Sequence, residues 1–141
     1  MILDLTVDGS PTCQIQLFAD KVPAIISALK PRLPLQALLQ HAKLSGQIVF
    51  FTIPLVLPWQ NYYTTEQGSE LRGGKGHDRG AVCFYNPRQQ LCIVYGDDLA
   101  AEPLGMSYIG EVVSGADRLE VVGMRTWLRQ GSLVEISVGT L

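Results

Sequence analysis

A chain of 141 residues, 47% hydrophobic and 17% charged, buries about two-thirds of its unfolded surface on folding and is too apolar for a disordered one. Its net charge of −2, from 11 basic and 13 acidic side chains, argues against a general nucleic-acid binder, which needs clustered Lys and Arg. Cys13, Cys83 and Cys92 cannot all pair within the chain, and each sits in an apolar run. Reduced thiols in a cytoplasmic protein are the expectation.

Residues 1–7 carry Asp4 and lack the order of a secretory signal: basic start, apolar stretch, small-residue cleavage site. The longest apolar window, 48–57, is too short for a membrane helix and is broken by Pro54, so no membrane association is expected. In chain order, Leu3, Leu5 and Val7 alternate with polar neighbours, and so do Cys13, Ile15 and Leu17. Between them Asp8, Gly9, Ser10 and Pro11 mark a turn, predicting a hairpin with one buried face. Pro23 suits the first turn of a helix over 24–30, which Pro31 and Pro34 end.

Residues 36–44 have good helix propensity but lead into the β-branched and aromatic run 48–53; an extended conformation is preferred for both. From 54 to 80 no period is sustained, and the stretch ends in the Gly-rich segment 73–80. Connections of such length are more often functional or disordered than shorter ones. Residues 81–85 and 91–95 read as strands joined by a turn with Asn86 and Pro87. Residues 106–113 read as another strand, 116–122 as a short helix after Ser114 and Gly115, and 133–138 as a final strand. Many short strands with two short helices predict a mainly β fold, a closed antiparallel barrel without exposed edges.

This order carries Leu33-Pro34-Leu35, then His41-Ala42 followed by Ser45-Gly46. Further on come Gly80-Ala81-Val82-Cys83-Phe84-Tyr85 and Cys92-Ile93-Val94-Tyr95-Gly96. The pattern resembles a bacterial family of uncharacterised cyclophilin-like proteins, over nearly the whole chain. The resemblance implies a single cyclophilin-like domain over 1–141. True cyclophilins are prolyl isomerases whose catalytic Arg lies in a Phe-His-Arg motif followed by Gln-Gly-Gly-Asp-Phe. Neither motif is present; the nearest segment, Gln40-His41-Ala42-Lys43, offers a Lys that lacks the planar guanidinium fork.

The candidate ligand-binding residues are His41, Tyr62, Tyr63, Arg72, Arg79 and Tyr85. His41 has the side chain best suited to proton transfer near neutral pH, although a structural or surface role outweighs this without a visible partner. Tyr62 and Tyr63, with Trp59, suit a pocket wall or equally a cover for one barrel end. Arg72, Lys75 and Arg79 flank glycines whose amides can approach an anion; a plain flexible loop is the heavier alternative. His77 beside Asp78 has no zinc-ligand spacing with His41, and neither a metal nor a cofactor is expected.

Asp97, Asp98 and Glu102 can act as paired carboxylates but fit a solvated turn better. Ser45 lacks a Gly-x-Ser-x-Gly elbow, and Cys83 and Cys92 lie inside strands as inert thiols.

The leading expectation is a small-molecule or peptide-binding module without prolyl-isomerase activity. A small-metabolite enzyme of amide or carboxylate chemistry is the alternative, because related cyclophilin-like domains occur in such systems, with His41 as base and Arg79 as anion clamp. A divergent prolyl isomerase ranks lower. A homodimer is a further reading, because Leu55, Val56, Leu57 and Trp59 beside the long segment read as an exposed apolar patch.

Overall fold

A computed structural model of the protein describes residues 1–65 and 79–140. Strand β1 (Ile2–Val7) turns through Asp8 and Gly9 into β2 (Ser10–Leu17), with Val7 opposite Ser10. Both turn residues have positive φ, 50° and 80°, the backbone that matches the twist of a two-residue hairpin and that Asp-Gly adopts readily. Helix α1 (Pro23–Leu29) starts at its proline and passes through a tight turn at Lys30–Arg32 into β3 (Leu35–His41). The ambiguous segment 36–44 is therefore extended up to His41.

Strand β4 (Gly46–Thr52) follows, then the two-residue β5 (Tyr62–Tyr63), β6 (Ala81–Tyr85) and β7 (Gln90–Leu99). The chain ends with β8 (Met106–Ser114), α2 (Ala116–Leu128) and β9 (Ser132–Val138). The strand order β2-β1-β9-β3-β4-β7-β6-β8 closes because β2 also pairs with β8, giving an eight-stranded antiparallel barrel. The short β5 adds to β8 beside that closure. No helix among the described residues is long and apolar enough to cross a membrane.

Alternation along the strands points Leu3, Leu5, Val7, Ile15, Leu17, Leu39, Val49, Phe51, Val82, Phe84, Ile93, Val134 and Ile136 into one interior core. Helix α1 adds Ile25 and Leu29, and α2 adds Leu119 and Val122. A second, smaller core lies on another part of the barrel wall, where Ile48, Ala81, Cys83, Val94 and Tyr108 pack with Tyr63.

Three expectations change. Helix α2 runs to Leu128 and not to 122, because Leu119, Val122 and Thr126 at helical spacing are all buried and outweigh the cost of Gly123 within the helix. That glycine is a close-packing site: a Cβ there would collide with the Tyr95 ring. Strand β7 runs to Leu99 because Gly46 and Ile48 of β4 pair along its second half. Leu55 and Leu57 are core residues, while Val56 and Trp59 between and beside them are exposed, so the four do not form one apolar surface.

Candidate ligand-binding cleft

On the outer face of β4, β6 and β7, the residues that alternate with the interior core are Ile48 and Phe50, Cys83 and Tyr85, and Cys92 and Val94. The ladder sets Phe50 opposite Cys92 and Cys92 opposite Cys83. The segment between β7 and β8 passes over part of this surface and leaves a cleft of about 150 Å³. Ile48, Phe50, Cys92, Leu104 and Met106 make most of its lining apolar, with Ala42 and Ser45 at the β3–β4 turn. Thr65, Tyr85, Gln90 and Glu102 supply the remaining polar groups.

Hydrogen bonds hold the second wall in place. The Ala100 amide donates to the Ser45 carbonyl at 2.9 Å. The Thr65 hydroxyl donates to the Ala100 carbonyl at 2.9 Å and accepts from the Glu102 amide at 2.7 Å. Gly46 makes the close approach feasible: its φ is 120°, and a Cβ there would collide with the Asp98 carbonyl oxygen. The cleft is thus shaped by these hydrogen bonds before any ligand arrives, which lowers the ordering cost of binding.

Its titratable side chains differ in kind. Burial pushes the Cys92 thiol up to about 12, against a smaller opposing hydrogen bond from the Tyr85 backbone. The thiolate is therefore scarce at neutral pH, and Cys92 acts as an apolar lining residue. The hydrogen bonds of Glu102 run through its main chain, so among the described residues its half-buried carboxylate is uncommitted. Asp97 and Asp98 are exposed but lie near the end of strand β7 and not in a turn, while Glu102 is part of the cleft.

The six candidate residues separate in space. Tyr85 lines the cleft. His41 is buried beneath α2, its Nε2 2.5 Å from the Tyr95 hydroxyl and its ring edge-on to Trp127 at 4.6 Å. Tyr62 is exposed and tilted toward Trp59, whereas Tyr63 is buried against Tyr108 in the small core. Arg79 turns to α2, bridging Glu120 at 2.8 Å and Asp117 at 3.2 Å, with its Nε on the Tyr95 carbonyl. Arg72 lies outside the described residues, as do Lys75, His77 and Asp78.

The residues missed by motif reading are Phe50, Thr65, Gln90, Leu104 and Met106. Of these only Phe50 carries a visible signal, the continuous apolar run in β4, which marks a strand covered on both faces. Among the described residues, no group of three or more His, Cys, Asp or Glu side chains is placed to hold a metal ion.

No family model and no curated protein matches the chain. Among solved structures, it is similar to McbB in complex with tryptophan, with a TM-score of 0.77 and 23% identity. The match covers 99% of this chain and 45% of McbB, so the chain spans less than half of that protein. It is also similar to the hypothetical protein AF2241 from Archaeoglobus fulgidus, with a TM-score of 0.68 and 18% identity over 99% of this chain and 95% of the other. At these identities the likeness shows a shared barrel fold.

Proposed function

We propose that the protein is a small-molecule-binding module built on a cyclophilin-like barrel, with its ligand seated in the outer-wall cleft. The observation that carries this reading is an apolar cleft of about 150 Å³ whose wall is held by Ser45 and Thr65. Cavities of about that volume accept a single benzene ring, whereas a peptide needs an extended groove. That McbB, which shares this fold over 45% of its length, is found in complex with tryptophan supports a small-molecule ligand as the reading. Cys13, Cys83 and Cys92 form no disulfide, which fits a reducing, cytoplasmic setting.

Prolyl isomerisation fits less well, because the described lining of the cleft contains no arginine and Arg79 is engaged with α2. Thiol chemistry at Cys92 is disfavoured by its raised pKa.

The test is a titration of the protein with benzyl alcohol, followed by amide NMR shifts and by the melting temperature. Saturable shifts centred on Ile48, Phe50, Cys92 and Glu102 are expected. They should vanish in Ser45→Leu, which fills the cleft from the turn, provided its melting temperature stays near wild type. Shifts centred elsewhere, or binding unaffected by a folded Ser45→Leu, would refute the assignment.

A further inference from the structure

The cleft's chemistry is uneven in a way that selects a ligand class. Its body is apolar, yet Glu102 is part of its lining, and the hydrogen bonds of that residue run through its main chain, leaving the carboxylate uncommitted among the described residues. None of the described lining residues is cationic. The other polar side chains there, Ser45, Thr65, Tyr85 and Gln90, are neutral hydrogen-bonding groups that take either polarity of partner. An ionised carboxylate only accepts hydrogen bonds, so it rewards a ligand that donates and penalises an anion. Beside apolar walls the same charge is felt more strongly than in open water.

We infer that the cleft selects a cationic amine carried on one ring or a short aliphatic body, with Glu102 receiving the ammonium group. This rests on the cleft being the binding site. The ring sits against Phe50, Ile48, Cys92, Leu104 and Met106, and the ammonium faces the wall fixed by Thr65. The small volume limits the body to about one ring. The charge requirement excludes carboxylates of the same shape, the opposite of the anion clamp suggested by Arg72 and Arg79. Arg79 is turned toward the acidic side chains of α2 instead.

Calorimetric titrations with benzylamine, benzyl alcohol and benzoate separate this inference from the cleft assignment beneath it. Benzylamine is expected to bind wild type roughly tenfold more tightly than benzyl alcohol, as a charge-assisted hydrogen bond contributes, with benzoate weakest. In Glu102→Gln the amine preference should disappear while benzyl alcohol binds as before. Equal binding of the amine and the alcohol to wild type would overturn amine selection and leave the cleft assignment standing. Failure of all three to bind would overturn both. An amine preference that survives in folded Glu102→Gln would remove Glu102 from the recognition. Should Glu102→Gln not fold, the wild-type order of the three ligands decides: benzoate at or above benzylamine refutes the inference.

Discussion

The imidazole of His41 has one ring nitrogen on the Tyr95 hydroxyl, while Nδ1 has no hydrogen-bond partner among the described residues. A buried polar atom left this way costs about 1–3 kcal/mol, more for a charged ring. Burial first, and the Lys43 charge second, hold the His41 pKa below its ordinary value of 6.5. Burial, then Glu120 and Asp98, hold the Tyr95 phenol above its ordinary value of 10.0. Both groups are thus neutral near pH 7, and the pair joins β3, β7 and α2 by packing.

Because the folded protein takes up this proton less readily than the unfolded chain, the stability involved is fully present above pH 6.5 and is lost as pH falls toward the depressed value. The urea midpoint should therefore fall between pH 7.5 and 5.5, and His41→Gln should flatten that fall. An equal pH slope in both proteins would show that His41 is not the group responsible.

Glu102 and His41 show what a residue type discloses by itself. Imidazole draws attention wherever it occurs, yet this one is core. Glu102 lies near two exposed acids and reads as a third, until the Thr65 hydroxyl and the Ser45 carbonyl draw its segment over the β4–β7 wall.

Among the elements, β1, β2 and β9 declare themselves by strict alternation, because each has one face in the interior core and one outside it. Strand β6 and the middle of β7 are largely buried, and their runs Ala81-Val82-Cys83-Phe84 and Ile93-Val94-Tyr95 are correspondingly continuous. Continuity shows that something covers the outer face without showing what. The cover here comes from the chain around Tyr63 and from the segment before β8.

Thr65 links those two covering pieces, since its hydroxyl both donates to Ala100 and accepts from Glu102. Thr65→Val removes both bonds with little change of shape. It should cost about 1 kcal/mol of stability and weaken ring-ligand binding roughly three- to tenfold. Unchanged affinity with unchanged stability would mean that the wall holds its place without Thr65.

For the whole molecule, closure depends on β2 reaching two partners: β1 by a hairpin, and β8 at nearly a hundred residues' separation. Phe51 and Ile15 are fully buried within the closed interior. Phe51→Ala should cost about 3–5 kcal/mol in chemical denaturation, out of a total of about 5–15 kcal/mol typical of such chains. A loss below about 1 kcal/mol would indicate that the site collapses around the smaller side chain.

The sequence by itself determined the class and most of the elements: alternation, paired turn residues and prolines act locally, so the hairpins, α1 and the β-rich pattern are readable from neighbours in the chain. The tertiary structure alone decided the length of α2, the burial of Leu55 and Leu57, the inward turn of His41 and the place of Glu102 in the cleft. Each of these depends on which distant surface comes to lie against a residue. That is set by barrel closure and by main-chain bonds such as Ala100 to Ser45, which leave no local mark in the sequence.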